Sequence, residues 1–318
     1  MKGSGMTQRY LKYTIAATDS AKVSFINLAR DLSAINRQLF RQARSYKIKS
    51  IRIADDDGHK YVQLGCAPNT WAVKNAVKRA YRRWNEMNDQ VLDDQPALKA
   101  KWNDFKPYLS SLHMQVVEAG SGGTLESPED IGGQNLKFGE WAHSTFESPD
   151  GTSSVDGYKV GILGGHVGSV GSFEYVGLVK SYGDARGTVS NEEPSVDAPS
   201  ASDDPLLNLL DAGTQFDEIA ENIIGEGNRP PYRNEPASGQ SFGDYYVGSS
   251  ENMPNPLMFG ECNPNEYKDS HTFYNVDIPL GVIRIDHELE SGEPNTNFSV
   301  IIEVASGNYK GVHSEAMV

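Results

Sequence analysis

The sequence predicts a mainly β fold, a single eight-stranded antiparallel jelly roll of two four-stranded sheets with helical and long-loop insertions. Three observations lead there. About eight segments have strand character, a few stretches carry apolar residues at helical spacing, and long polar runs rich in Gly, Ser and Pro separate them. At 318 residues the chain is long enough to bury a substantial core. Residues 1–5, MKGSG, read as a tag-like remnant before Met6. Residues 6–318 read as one domain with insertions near 68–109, 118–157 and 186–270.

RYLKYTIAA (9–17) alternates Arg9, Leu11, Tyr13 and Ile15 with Tyr10, Lys12 and Thr14, as a half-buried strand does. FINLARDLSAINRQLFRQA (25–43) follows, with helical spacing over part of its length at Phe25, Leu28, Leu32, Ile35 and Leu39. YKIKSIRI (46–53) and KYVQLGC (60–66) flank Asp57-Gly58, a hairpin signal. The acidic triplet Asp55 to Asp57 reads as a solvated turn. PALKAKWNDFKPYL (96–109) reads as helical through Leu98, Trp102 and Phe105. Strands then follow at LHMQVVEA (112–119), GYKVGIL (157–163), SFEYVGLVKSY (172–182), TFYNVDIPLGVIRI (272–285) and FSVIIEVA (298–305).

Between 66 and 96 lies an amphipathic helix. Val73, Val77, Tyr81, Trp84, Met87 and Val91 fall on one side, and Lys74, Lys78, Arg79, Arg82 and Arg83 on the other. Asn69 or Thr70 is placed to cap its start, and Pro96 closes it. Cations in the first turns oppose the helix macrodipole and favour an anionic neighbour, which the helix lacks before Glu86. A phosphate contact and a solvated or acid-paired face are the two readings.

The charge distribution gives that patch a setting. Residues 1–109 hold 20 Lys or Arg against 10 Asp or Glu; from Ser110 onward the balance is 9 against 33, giving the chain its net −14. Either two surfaces of the folded protein meet different environments, or neighbouring segments pair opposite charges. A second basic cluster comprises Arg37, Arg41, Arg44, Lys47, Lys49 and Arg52. EAGSGGTLESPEDIGGQN (118–135) and the acidic TVSNEEPSVDAPSASDD (188–204) read as long polar loops. DPLLNLLDAGTQFDEIAENIIGEGNRPPY (204–232) returns to helix-like spacing.

Chemistry-bearing motifs are scarce. GGHVGSVG (164–171) is neither GxGxxG nor a P-loop, so its glycines are expected in a loop between strands; His166 and Ser169 are neighbours in sequence, which is not catalytic geometry. No metal site or cofactor is expected from the seven scattered histidines, although the acidity leaves room for bound calcium. Cys66 and Cys262 read as free, semi-buried thiols, and Asn297 begins a sequon that is idle without secretion. No apolar run reaches the length of a membrane span and no signal peptide opens the chain.

Four stretches carry a resemblance. These are RYLKYTIAATDSAKVSFINLARDLSAINRQLFRQ, APNTWAVKNAVKRAYRRWNEMND, DPLLNLLDAGTQFDEIAENIIGEGNRPPY, and the closing IPLGVIRI with FSVIIEVASGNYKGVHSEAM. Together they resemble jelly-roll capsid proteins of small circular single-stranded DNA viruses, of the uncultured environmental lineages. The resemblance implies a non-enzymatic protein of the virion whose copies close an icosahedral shell around single-stranded DNA, bound without sequence preference. It makes Lys74, Lys78, Arg79, Arg82, Arg83, Arg37, Arg41, Arg44, Lys47 and Lys49 the expected DNA contacts. Many of those proteins begin with a long Arg-rich arm, whereas here only MTQRYLKY leads into the first strand. A β-sandwich adhesin or fibre module, binding carbohydrate or a cell-surface ligand through Trp141, Tyr245 and Tyr246, is the alternative.

Overall fold

The computed structural model describes residues 7–18, 20–54, 60–100, 103–130, 132–149, 155–169, 172–182, 256–263, 270–290 and 296–318. In chain order the elements are β1 (Tyr10–Ala17), β2 (Lys22–Asn27), α1 (Leu28–Asn36), β3 (Arg44–Ala54), β4 (Lys60–Cys66), α2 (Trp71–Asp94), a 3-10 turn (Pro96–Ala100), α3 (Ser111–Ala119) and β5 (Thr124–Leu125). There follow β6 (Thr145–Pro149), β7 (Val155–Gly161), β8 (Val167–Ser169), β9 (Ser172–Gly177), β10 (Leu257–Cys262), β11 (Ser270–Pro279), β12 (Val282–Leu289), β13 (Thr296–Val304), β14 (Ser306–Gly307), β15 (Gly311–Val312) and β16 (Ser314–Ala316). The protein is mainly β, as its alternating segments predict. The chain divides into two compact units, one of Met1–Asn69, Leu112–Ala142 and Pro256–Val318, the other of Thr70–Ser111 and His143–Asn255.

The first unit holds two five-stranded sheets and a small two-stranded one, β14-β15, among the described residues. One of the larger sheets runs β1-β13-β3-β11, with β16 also paired to β3, and the other runs β10-β4-β12-β2-β5. Every pairing is antiparallel except the short one between β2 and β5. Among the eight longer strands, successive members fall in opposite sheets at every step but one. The exception is β4 to β10, which are hydrogen-bonded neighbours, and the second unit is inserted between them.

The period of two explains how these strands share a core. In β1 the buried set is Leu11, Tyr13, Ile15 and Ala17; in β13 it is Phe298, Val300, Ile302 and Val304. These pack with Val62 and Leu64 of β4 and Ile283 and Ile285 of β12 in one apolar cluster. In β3 the register to β13 shifts between Glu303 and Val304. This bulge lets Tyr46 and Ile48 before it, and Ile51 and Ile53 after it, all reach the same core. The turn from β11 to β12 puts Leu280 and Gly281 at φ 60° and 67°, and a Cβ at Gly281 would stand 3.0 Å from the Tyr46 ring. That turn therefore needs glycine.

Several expected elements differ. Residues 112–119 form a helix, α3, which buries His113, Met114 and Val116 and stacks His113 on Phe25 at 4.8 Å. A short apolar run does not by itself separate a strand from a buried helix. The flanks of Asp57-Gly58 do not form a hairpin, because β3 and β4 lie in different sheets; residues 55–59 are outside the described set. The 25–43 stretch is strand through Asn27 and helix only over Leu28–Asn36, while 272–285 contributes to two strands in different sheets. Among the described residues of the 96–109 segment, only Pro96–Ala100 is helical.

The second unit has a four-stranded sheet, β6-β7-β9-β8, in which β7 and β9 run parallel. GGHVGSVG lies partly in β8 rather than wholly in a loop. Phe105 is fully buried and meets Trp84 at 6.4 Å, Tyr81 at 6.1 Å and Phe146 at 6.4 Å, while Phe146 stacks on Tyr158. The expected loop 188–204 and helix-like 204–232 lie outside the described residues. Among the described residues no helix is long and apolar enough to cross a membrane.

Candidate nucleic-acid interface

α2 begins where its capping residue dictates. Thr70 is extended, and its hydroxyl accepts from the Val73 N–H at 3.3 Å, replacing a bond the first turn lacks. Ala72, Val73, Ala76, Val77, Ala80 and Trp84 are buried. Tyr81 and Met87 are half-buried and Val91 is 51% exposed, so the predicted apolar face is covered over its first four turns and not at its end.

The five cations of α2 do not act alike. Arg79 donates to the Ser181 carbonyl at 3.2 Å, and Arg83 pairs with Glu86 three residues on. Lys74, Lys78 and Arg82 are exposed and make no ion pair or hydrogen bond among the described residues. They stand four residues apart, in one row along the helix. Trp71 opens that row, 39% exposed, and the Tyr182 ring meets it edge-on at 6.2 Å. The Asn75 amide donates to the Tyr182 hydroxyl at 3.3 Å. Sequence reading missed this aromatic pair; the signal was an indole outside the predicted apolar stripe.

The second cluster is also divided. Lys47 pairs with Asp277 at 3.0 Å and Lys49 with Glu303 at 2.8 Å, both across strands, and the Lys49 contact holds the Glu303 carboxyl below its usual range. Arg44 donates to the Ser314 hydroxyl at 2.7 Å and carbonyl at 2.8 Å, and its guanidinium lies 3.9 Å from the centre of the Tyr309 ring. Arg37, Arg41 and Arg52 are exposed. Arg37 sits at φ 51° as the C-cap of α1. Arg41 donates its backbone N–H to the Tyr309 hydroxyl at 3.0 Å. Lys310, absent from the sequence-based set, belongs to this corner; its ammonium donates to the Leu39 carbonyl, and burial and then Arg41 lower its pKa. Arg41, Arg44 and Lys310 thus gather around Tyr309.

A third group of charges is buried and structural. Asp31 accepts from Arg30 at 2.7 Å and from the Tyr13 hydroxyl at 2.7 Å. The Arg30 guanidinium stacks 3.6 Å from the centre of the Phe138 ring and donates to the Glu126 carbonyl. Ser24 bonds Glu126 at 2.8 Å and lies 3.2 Å from His287. Burial raises the carboxyls of Asp31 and Glu126 and pushes His287 down to about 4.

His166 accepts the Gly177 N–H on Nδ1 at 3.2 Å, a structural use of that nitrogen. Cys66 and Cys262 are free and buried, with burial pushing the Cys66 thiol up to about 12. Among the described residues no group of three or more His, Cys, Asp or Glu is gathered to hold a metal ion. Trp141 is half-buried against the core, while Tyr245 and Tyr246 lie outside the described residues. No protein-family model, curated protein or solved structure matches the chain.

Proposed function

We propose that the protein is the coat subunit of a small circular single-stranded DNA virus, a jelly roll that assembles with its own copies into an icosahedral shell. The observation that carries this reading is strand connectivity. Numbered one to eight along the chain, β1, β2, β3, β4, β10, β11, β12 and β13 give sheets of order 1-8-3-6 and 5-4-7-2. Folding one long hairpin of eight strands over on itself, as two Greek keys, yields that order, the arrangement of viral coat and lectin jelly rolls. Connectivity alone does not choose among functions. The basic first third and the acidic remainder favour a shell subunit, with one charged surface toward nucleic acid and another toward solvent.

In this reading the protein is not an enzyme and needs no cofactor. It belongs to the virion, and its partners are other copies of itself and single-stranded DNA. Phosphates are neutralised by Lys74, Lys78 and Arg82 of α2 and by Arg41 beside Tyr309 rather than by Lys47 and Lys49, which already face carboxylates. Sedimentation velocity of the purified chain across a range of salt tests the proposal. Species of tens of copies are expected; a monomer at every salt and protein concentration would overturn it.

A further inference from the structure

We propose that the row on α2 from Trp71 to Arg82 is a track for single-stranded DNA, in which a base stacks on the Trp71 indole and successive phosphates meet Lys74, Lys78 and Arg82. The identity of the strand rests on the coat reading; the geometry of the track is its own. Cations four residues apart on a helix climb about 6 Å per step. That is the scale on which phosphates succeed one another along a nucleic-acid strand. The three side chains are exposed and uncommitted among the described residues, and α2 has no carboxylate before Glu86.

The first turn strengthens the case. The helix macrodipole favours acidic side chains there, and α2 has none. It presents Lys74 and an exposed indole instead. The ring is also positioned: Tyr182 meets it at an interplanar angle of 76°, and Asn75 holds the Tyr182 hydroxyl.

The indole gives the track its selectivity. Phosphate attraction by lysine and arginine serves duplex and single strand alike. A base can lie on the Trp71 ring only when it is free of a partner strand, and such stacking is sequence-tolerant because every base has a π-face. The track therefore distinguishes single strand from duplex without reading sequence.

Fluorescence anisotropy with a short mixed-sequence DNA oligonucleotide, alone and as its duplex, tests this on the full chain at low salt. Trp71→Leu keeps an apolar side chain against Tyr182 and removes most of the stacking plane. It is expected to weaken single-strand binding about tenfold while leaving duplex binding unchanged. Trp71→Tyr, which restores a ring, is expected to recover most of that loss. Lys78→Glu with Arg82→Glu is expected to weaken both ligands.

Unchanged single-strand binding by Trp71→Leu, an equal loss on duplex, or indifference of both ligands to the charge reversals would overturn the track. Thermal melting of each variant identifies any that fail to fold, and Trp71→Met, which also lacks a ring and is expected to show the same selective loss, then carries the comparison. Sizing the same preparations separates the two readings. Particles together with an indifferent Trp71→Leu reject the track and leave the coat reading standing. A selective loss without particles does the reverse.

Discussion

Arg30 and Asp31 stand side by side at the start of α1, 3% and 0% exposed, and each is held by more than the other. Two hydrogen bonds on Asp31 and the Phe138 ring over Arg30 offset part of the cost of burying both charges. Arg30→Met strands the carboxylate, and chemical denaturation is expected to show a loss of about 3–5 kcal/mol. Adding Asp31→Asn should return part of it; no recovery in the double variant would mean the pair is not the cause. His287 gives a pH dependence of definite sign. Buried beside Phe298 and Ser24, it stays neutral in the fold down to about 4, whereas the unfolded chain protonates it near 6.5. The unfolded state binds the extra proton between those values, so stability falls as pH drops from 6.5 towards 4, by up to about 1.4 kcal/mol per pH unit. His287→Gln should flatten that part of the profile. Identical profiles for the two proteins would contradict the assignment.

At the scale of elements, α2 depends on its cap. Thr70→Ala removes the acceptor of the Val73 N–H and is expected to cost about 1 kcal/mol, read as a lower melting temperature, while Thr70→Ser should cost much less. Equal effects of the two would point to a role other than capping. The cap, the buried set of Val73, Val77 and Trp84, and the cationic face were all legible in the sequence, because a helix start and a period of 3.6 are local. So was β1, whose alternation matches its burial residue for residue. What failed was non-local. Asp57-Gly58 signals a turn and says nothing about which sheet each flank joins. The eight-strand count was reached from a partly different set: it included 112–119, which is α3, and β7 and β9 of the second unit, while β2 was read as helix and β10 went unread. The site shows the same limit. The cations could be counted, but Lys47 meets Asp277 and Lys49 meets Glu303 across more than two hundred residues of chain, and no spacing rule reaches that far.

At the scale of the molecule, strand connectivity and the placement of charge coincide. The chain crosses between sheets at every step except β4 to β10, and there it spins out a second unit that carries α2 with its uncommitted cations. Inserting a unit between hydrogen-bonded neighbours leaves the other six connections among these eight strands intact, since long excursions between adjacent strands cost little in closure entropy. The first unit can thus keep its core while the inserted unit contributes surface of another character. Negative-stain electron microscopy of the purified protein tests the central claim most directly. Closed, uniform shells built from tens of copies are the predicted result, and fields of single particles no larger than one chain, at every salt concentration tried, would contradict it.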